Sequence, residues 1–200
     1  SRGLLMFTLN ELIAEVHRAL TTAGLDHAFG GALALMHNVA EPRMTRDIDV
    51  NVFVGTDEAG RVLQSLSHLA PVADDAVTKL VDDGFVRLVS DIFPIDVFLS
   101  TDEFHYDMRP SVEMHRVGQN YFPYISATHL AVLKAMFDRP KDWVDILEML
   151  RHGTVDVPKA VGWLVQILGH KDERPARLRA LALVGPEEEI SPKALFERRT

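Results

Sequence analysis

The 200-residue sequence predicts an α+β fold in two parts, an α/β half over residues 1–125 and a helical lobe over 126–200. Two observations predict it. Before residue 125, short apolar β-type runs alternate with amphipathic stretches; after Ser126 every apolar stretch has helical spacing. The last β-type pair brackets a Gly118-Gln119-Asn120 turn, which sets the boundary near 125.

The elements follow in order. Thr8-Leu9-Asn10-Glu11 is a capping box, so a helix starts near Leu9. Leu9, Leu12, Ile13, Val16 and Leu20 give it one apolar stripe to about Thr22, and Ala23-Gly24 ends it. His27-Ala28-Phe29 reads as a short strand feeding a Gly30-Gly31 turn, then a helix to about Asn38. A loop from Ala40 to Arg46 with Pro42 leads into a strand from Asp47 to Val54. Asp57-Glu58 open a helix through about Leu69, ended by Ala70-Pro71.

From Gly84 the pattern is β again: Phe85 to Ser90, a turn at Asp91, then Phe93 to Leu99, where Pro94 suits an edge or a strand start. Glu113–Val117 and Tyr121–Ile125 read as a hairpin. Helices are expected over 126–138, 141–152, 156–169, about 172–184 and a short one near 192–198, punctuated by Gly153 and Gly185-Pro186.

Composition sets the outer limits. Zero cysteines exclude a disulfide framework and Cys-ligated zinc, and fit a cytoplasmic home. No run of eighteen apolar residues reads as a membrane span, and Gly3-Leu4-Leu5-Met6-Phe7 is too short for a signal peptide. Residues 1–100 carry 7 Lys and Arg against 14 Asp and Glu, while the second hundred are nearly balanced. A net charge of −8 argues against avid nonspecific nucleic-acid binding, which needs a basic field.

The chemistry concentrates between Gly30 and Val54. Asp47 and Asp49 stand two apart in an apolar, β-branched run, so they share one side of a strand, where aspartate is depleted. Aligned carboxylates repel unless a cation sits between them, and the usual one for hard oxygen ligands is Mg²⁺. The bland alternative is turn capping, or pairing with Arg43 or Arg46. Gly30-Gly31, opening into the helix-like Ala32-Leu33-Ala34-Leu35-Met36, offers bare N–H groups and a helix N-terminus to a phosphate. Asp96 is again a lone carboxylate in an apolar strand, costly to bury unless it meets a cation or metal. Three such carboxylates converging on one or two Mg²⁺ make a two-metal site, one ion activating the attacking hydroxyl and the other neutralising a triphosphate.

Lys134 lies among Leu130, Leu133 and Met136-Phe137, either a snorkelling lysine or a phosphate ligand. Asp142 suits a first-turn acid and Asp145 a solvated one. Nine scattered histidines show no ligand spacing, and Lys171 to Arg179 reads as a solvated helix face rather than a polyanion contact. Tyr121, Phe122 and Tyr124 read as packing residues before base-stacking ones.

Taken together, Gly30-Gly31, Arg43-x-Thr45-x-Asp47-x-Asp49, the strand Asp96, and Lys134 followed by Arg139-x-Lys141-Asp142-x-x-Asp145-Ile146 resemble the nucleotidyltransferase superfamily. Within it they are most similar to the AbiEii/MenT-type nucleotidyltransferase toxins of bacterial toxin–antitoxin systems, over about residues 25–152. The resemblance implies a DNA-polymerase-β-like mixed sheet with flanking helices and a C-terminal helical lobe. It implies Mg²⁺ on Asp47, Asp49 and Asp96, nucleotide phosphates at Gly30 and Gly31, and Arg46, Arg139 or Lys141 near the substrate. Lys134 and Asp142 match the later catalytic lysine and aspartate; whether Asp142 or Asp145 is the matching acid stays open, the basic–Asp dipeptide favouring Asp142.

The activity implied is transfer of a nucleoside monophosphate from an NTP to the tRNA 3′ end, in the cytoplasm, with an antitoxin protein as partner. The alternatives are modification of a protein or a small molecule, or a noncatalytic binding module or antitoxin of the same fold. Thr45, two residues before Asp47, would share its side of an extended chain, and its phosphorylation would set about −1.5 to −2 charges beside the carboxylates as an off switch. The alternative is a hydroxyl that only hydrogen-bonds the loop backbone.

Overall fold

The computed structural model describes residues 8–40, 45–90 and 93–184. The readings at Gly3–Phe7, Pro42, Arg43, Asp91, Gly185-Pro186 and 192–198 lie outside those residues. The chain divides into two compact units, Ser1–Leu33 with Met44–Ile125 and Ala34–Arg43 with Ser126–Thr200.

In the first unit, α1 (Leu9–Thr22) begins where its capping box dictates. The Thr8 hydroxyl accepts from the Glu11 N–H at 3.3 Å, and the Glu11 carboxylate accepts from the Thr8 N–H at 2.7 Å. Its buried stripe is Leu12, Ile13, Val16 and Leu20. Then follow β1 (His27–Phe29), α2 (Gly31–Leu35, whose last two residues count with the second unit), β2 (Ile48–Val52), a 3₁₀ turn at Thr56–Glu58, and α3 (Ala59–Leu66). After them come α4 (Ala76–Asp83), β3 (Phe85–Leu88), β4 (Ile95–Leu99), α5 (Glu103–Met108), β5 (Glu113–Val117) and β6 (Asn120–Tyr124).

The six strands form one mixed sheet in the order β3-β4-β2-β1-β6-β5. β2 runs parallel to β4 and β1 parallel to β6, while β3–β4, β2–β1 and β5–β6 are antiparallel. The central strands β2 and β4 bury Ile48, Val50, Val52, Ile95, Val97 and Leu99, alternate residues that put one apolar face of the sheet into the core. Pro94 marks a strand start and not an edge: its carbonyl accepts from the Ile48 N–H at 3.0 Å, and β4 lies inside the sheet.

Two short helices, α4 and α5, were not expected. Only Ala76 and Leu80 of α4 are buried, with Val77 and Val81 of the same short apolar stripe exposed. Conversely α2 is shorter than the helix expected to Asn38, being five residues followed by a turn that the Asn38 amide closes by donating to the Ala34 carbonyl at 2.8 Å.

The second unit is helical: α6 (Ala127–Phe137), α7 (Pro140–His152), α8 (Val157–Leu168) and α9 (Glu173–Ala182). Ser126, Asp156 and Asp172 cap α6, α8 and α9 by accepting backbone N–H bonds. Trp143 is fully buried within a core that includes Leu130, Ile146, Leu147, Leu164, Leu178 and Leu181. Between α6 and α7, Asp138 adopts φ +55°, the only described residue other than glycine with positive φ. Its carboxylate accepts from Trp143 Nε1 at 2.7 Å and Arg177 Nη1 at 2.9 Å, which holds the left-handed turn in place.

Candidate functional site

The sheet register assembles the first-unit residues. Asp49 and Asp96 are partners on parallel strands β2 and β4, and Arg87 of β3 is the antiparallel partner of Asp96. Directly paired residues share a sheet face, so Arg87, Asp96 and Asp49 form a row across three neighbouring strands. Asp47 precedes β2 on the same side, its Oδ2 3.6 Å from Arg87 Nη2.

The glycines complete the row. The Gly30 N–H donates to the Asp49 carbonyl at 2.9 Å, continuing the β1–β2 pairing. That N–H is therefore engaged within the sheet; what Gly30 contributes is space, since a Cβ there would come 2.9 Å from the Asn51 amide nitrogen. Gly31 has φ +53°, and a Cβ on it would fall 1.9 Å from Asp49 Oδ2. Only glycine lets the Asp49 carboxylate lie against the backbone here. With α2 reduced to little more than one turn, the helix-dipole contribution expected at this position is correspondingly small.

Thr45 is tied to the first aspartate. Its Oγ1 donates to Asp47 Oδ1 at 2.8 Å and accepts from the Asp47 N–H at 3.4 Å, so it engages the carboxylate as well as the loop backbone. Arg46 is exposed.

Sequence reasoning missed Arg87, the residue that changes the electrostatics most. Its Nε donates to Asp96 Oδ1 at 2.7 Å and its Nη2 to Asp96 Oδ2 at 2.6 Å, a bidentate fork. The Asp96 side chain is 8% exposed, that of Arg87 50% and that of Asp47 41%. The lone strand carboxylate has thus met a cation, and the cation is a protein side chain. Hydrogen bonds to Asp96, then the charges of Asp96, Asp47 and Asp49, raise the already high Arg87 pKa further.

This decides how far the residues suit a divalent metal. Mg²⁺ is usually held by one or two carboxylates plus substrate phosphates, and Asp47 with Asp49, packed on Gly31, supplies that kind of hard oxygen donor. The three-carboxylate set is not assembled: among the described residues no group of three or more His, Asp or Glu is placed to hold a metal ion. Arg87 accounts for the difference, because it already holds Asp96.

In the second unit, Lys134, Arg139, Asp142 and Asp145 form a charge cluster of their own. Lys134 Nζ lies 2.6 Å from Asp145 Oδ2 and 3.6 Å from Asp142 Oδ1. Asp142 is fully buried and accepts from Arg139 Nε at 2.6 Å and Nη2 at 3.1 Å, and from the Arg139 N–H at 3.3 Å. Asp145, expected to be solvated, is buried instead, because the α6–α7 packing turns it onto Lys134. Lys134 is likewise buried and ion-paired rather than snorkelling. Lys141 is exposed. Arg177 corrects the reading of 171–179 as a solvated face: it is buried, its guanidinium 4.8 Å over the Trp143 ring.

Elsewhere in the first unit, His27 Nδ1 donates to the Leu25 carbonyl at 2.9 Å, leaving Nε2 to accept from His17 Nδ1 at 2.9 Å. Burial holds both imidazoles below the usual histidine range. Phe122 and Tyr124 are core residues, and Tyr121 is exposed. No helix among the described residues is long and apolar enough to cross a membrane.

No protein-family model and no curated protein matches the chain. Among solved structures it is similar to the crystal structure of an antigenic nucleotidyltransferase-like protein from Paracoccidioides brasiliensis. The two share 16% identity with a TM-score of 0.48, covering 88% of this chain and 94% of that one.

Proposed function

We propose that this chain is a nucleotidyltransferase, moving a nucleoside monophosphate from an NTP to an acceptor hydroxyl. The observation that carries the reading is the carboxylate row: Asp49 and Asp96 paired across β2 and β4, Asp47 beside them, and a glycine at 31 that admits the Asp49 carboxylate. A purely structural row would need neither the second surface-facing acid nor the bare backbone at Gly31. In the reaction, the acceptor oxygen bonds to the α-phosphorus as the bond from that phosphorus to the β-phosphate bridging oxygen breaks. Pyrophosphate leaves, and the hydroxyl proton passes to a carboxylate of the row.

Mg²⁺ is the metal the Asp47 and Asp49 pair suits; those two would hold it, with Asp96 as third carboxylate only on release from Arg87, and it would neutralise charge on the triphosphate. Thr45 fixes the Asp47 carboxylate through its 2.8 Å hydrogen bond, which makes it the position where added charge would act on the site. The exposed Arg46, and Arg139 and Lys141 of the second unit, are the candidates for substrate phosphates. Lys134 and Asp142 enter this proposal through the sequence resemblance, and their mutual pairing with Asp145 and Arg139 gives them a structural role as well.

The acceptor proposed is the tRNA 3′ end, and the biological setting a cytoplasmic toxin restrained by an antitoxin; both rest on the resemblance of the motifs. A protein or small-molecule acceptor is the second reading, favoured by the acidic first hundred residues, which suit a polyanion poorly. Incubation with each radiolabelled NTP, Mg²⁺ and total tRNA, beside a protein-only control, tests the proposal. Label on RNA supports the first acceptor and label on protein the second; label on neither in any NTP overturns the tRNA and protein acceptors.

A further inference from the structure

We infer that Arg87 is a displaceable internal cation, which holds the carboxylate row closed until a metal–triphosphate exchanges with it. The inference rests on the nucleotidyl-transfer reading and adds a residue and a binding order to it. Three observations carry it. Arg87 grips Asp96 with both nitrogens of its fork, at 2.7 and 2.6 Å. The same Nη2 reaches Asp47 at 3.6 Å, so one guanidinium faces two of the three acids a metal would need. And the Arg87 side chain is 50% exposed while Asp96 is 8% exposed, so the arginine is free to leave toward solvent and the carboxylate is not.

A divalent cation arriving alone must break a charge-assisted bidentate pair and leaves the guanidinium without an anion. A metal–triphosphate supplies both replacements, a cation for Asp96 and Asp47 and phosphate oxygens matched to the guanidinium fork. Occupancy of a closed form lowers apparent affinity by the competent fraction; a row open about one-tenth of the time binds metal about tenfold more weakly. Arg87 thus selects the metal-bound nucleotide over free metal and becomes a triphosphate ligand once displaced.

The test is calorimetry on the full chain, wild type and Arg87→Gln, with Mn²⁺ alone and then with inorganic triphosphate at saturating Mg²⁺. The expected result is opposite changes. Mn²⁺ alone binds Arg87→Gln about tenfold tighter, equivalent to about 1.4 kcal/mol, and triphosphate binds it about tenfold more weakly. A merely structural arginine would not move the two affinities in opposite directions. If Arg87→Gln does not fold, Arg87→Lys, which keeps the charge and loses the fork, is expected to show the same two changes at smaller size. Unchanged or weaker Mn²⁺ binding overturns the inference. If Mn²⁺ binding is still lost on Asp47→Asn, the nucleotidyl-transfer reading survives that result. No Mn²⁺ binding by any variant, with or without triphosphate, overturns both.

Discussion

Replacing Lys134 with Met removes the one ammonium shared by two buried carboxylates. The side chains of Lys134, Asp145 and Asp142 are 7%, 9% and 0% exposed, so little solvent screens what remains. Asp142 keeps Arg139, whereas Asp145 loses its 2.6 Å partner. Breaking a buried pair from one side costs up to about 3–5 kcal/mol, because the surviving carboxylate stays buried with less to balance its charge. At about 2–4 °C per kcal/mol for a chain of this size, Tm should fall by roughly 6–20 °C. Thermal and urea unfolding measure it, with an unchanged urea slope indicating a pure stability effect. The double variant K134M/D145N should recover most of the loss, since neutral groups of similar shape need no counterion. A K134M loss below about 1 kcal/mol, or a double variant equal to the sum of the singles, would refute the reasoning. Transfer activity then separates the roles: a stable double variant that still fails to transfer assigns the Lys134–Asp145 pair to the reaction as well as to the fold.

Three further outcomes follow from the first unit. Gly31→Ala should displace the Asp49 carboxylate, whose oxygen lies 1.9 Å from the new Cβ, and add about 1–2 kcal/mol of left-handed backbone strain. A lower Tm together with lost Mn²⁺ binding is expected, and retention of both contradicts the cradle. Thr45→Glu should be inactive and Thr45→Val should keep substantial transfer, the hydroxyl being an orienter of Asp47 and not a reactant; an active Thr45→Glu protein removes the switch. Because burial lowers the pKa of His17 and His27, the unfolded chain takes up protons first on acidification. Their contribution to stability is complete above the usual histidine value of 6.5 and is lost as pH falls below it. Tm should drop between pH 7.5 and 5.5, and less in H17Q/H27Q; an equal drop in the variant assigns the effect elsewhere.

What was legible in the sequence was what short-range chemistry determines. The Thr8–Glu11 box, the Gly118 turn and the four helices after Ser126 each announce themselves by local pattern, and the structure has them. The carboxylates were visible for the same reason, since aspartate inside Ile48–Val52 or Ile95–Leu99 conflicts with its surroundings. Arg87 was hidden because its meaning is a register. A turn placed at Asp91 does put position 87 opposite 96, so pairing the two strands on paper would have found it. The burial of Asp145 and Arg177 was not readable locally: helix-face patterning marks both as solvent positions, and only packing turns one onto Lys134 and the other onto Trp143. Short α4 carries its helical spacing, Ala76, Val77, Leu80 and Val81, over only two turns, too short a run to stand out from a loop.

The most direct test of the central claim is transfer of label from an α-³²P NTP by wild type, Asp47→Ala and Asp49→Ala at saturating Mg²⁺, with Tm measured on the same samples. Neither substitution removes a buried apolar contact, and what Asp47→Ala loses, the Thr45 hydrogen bond and the 3.6 Å approach of Arg87, lies at half-exposed side chains, so both variants should melt within a few degrees of wild type. The account predicts labelled acceptor with wild type and none with either variant. Wild-type transfer by Asp49→Ala, or a collapse of Tm in both variants, would contradict it.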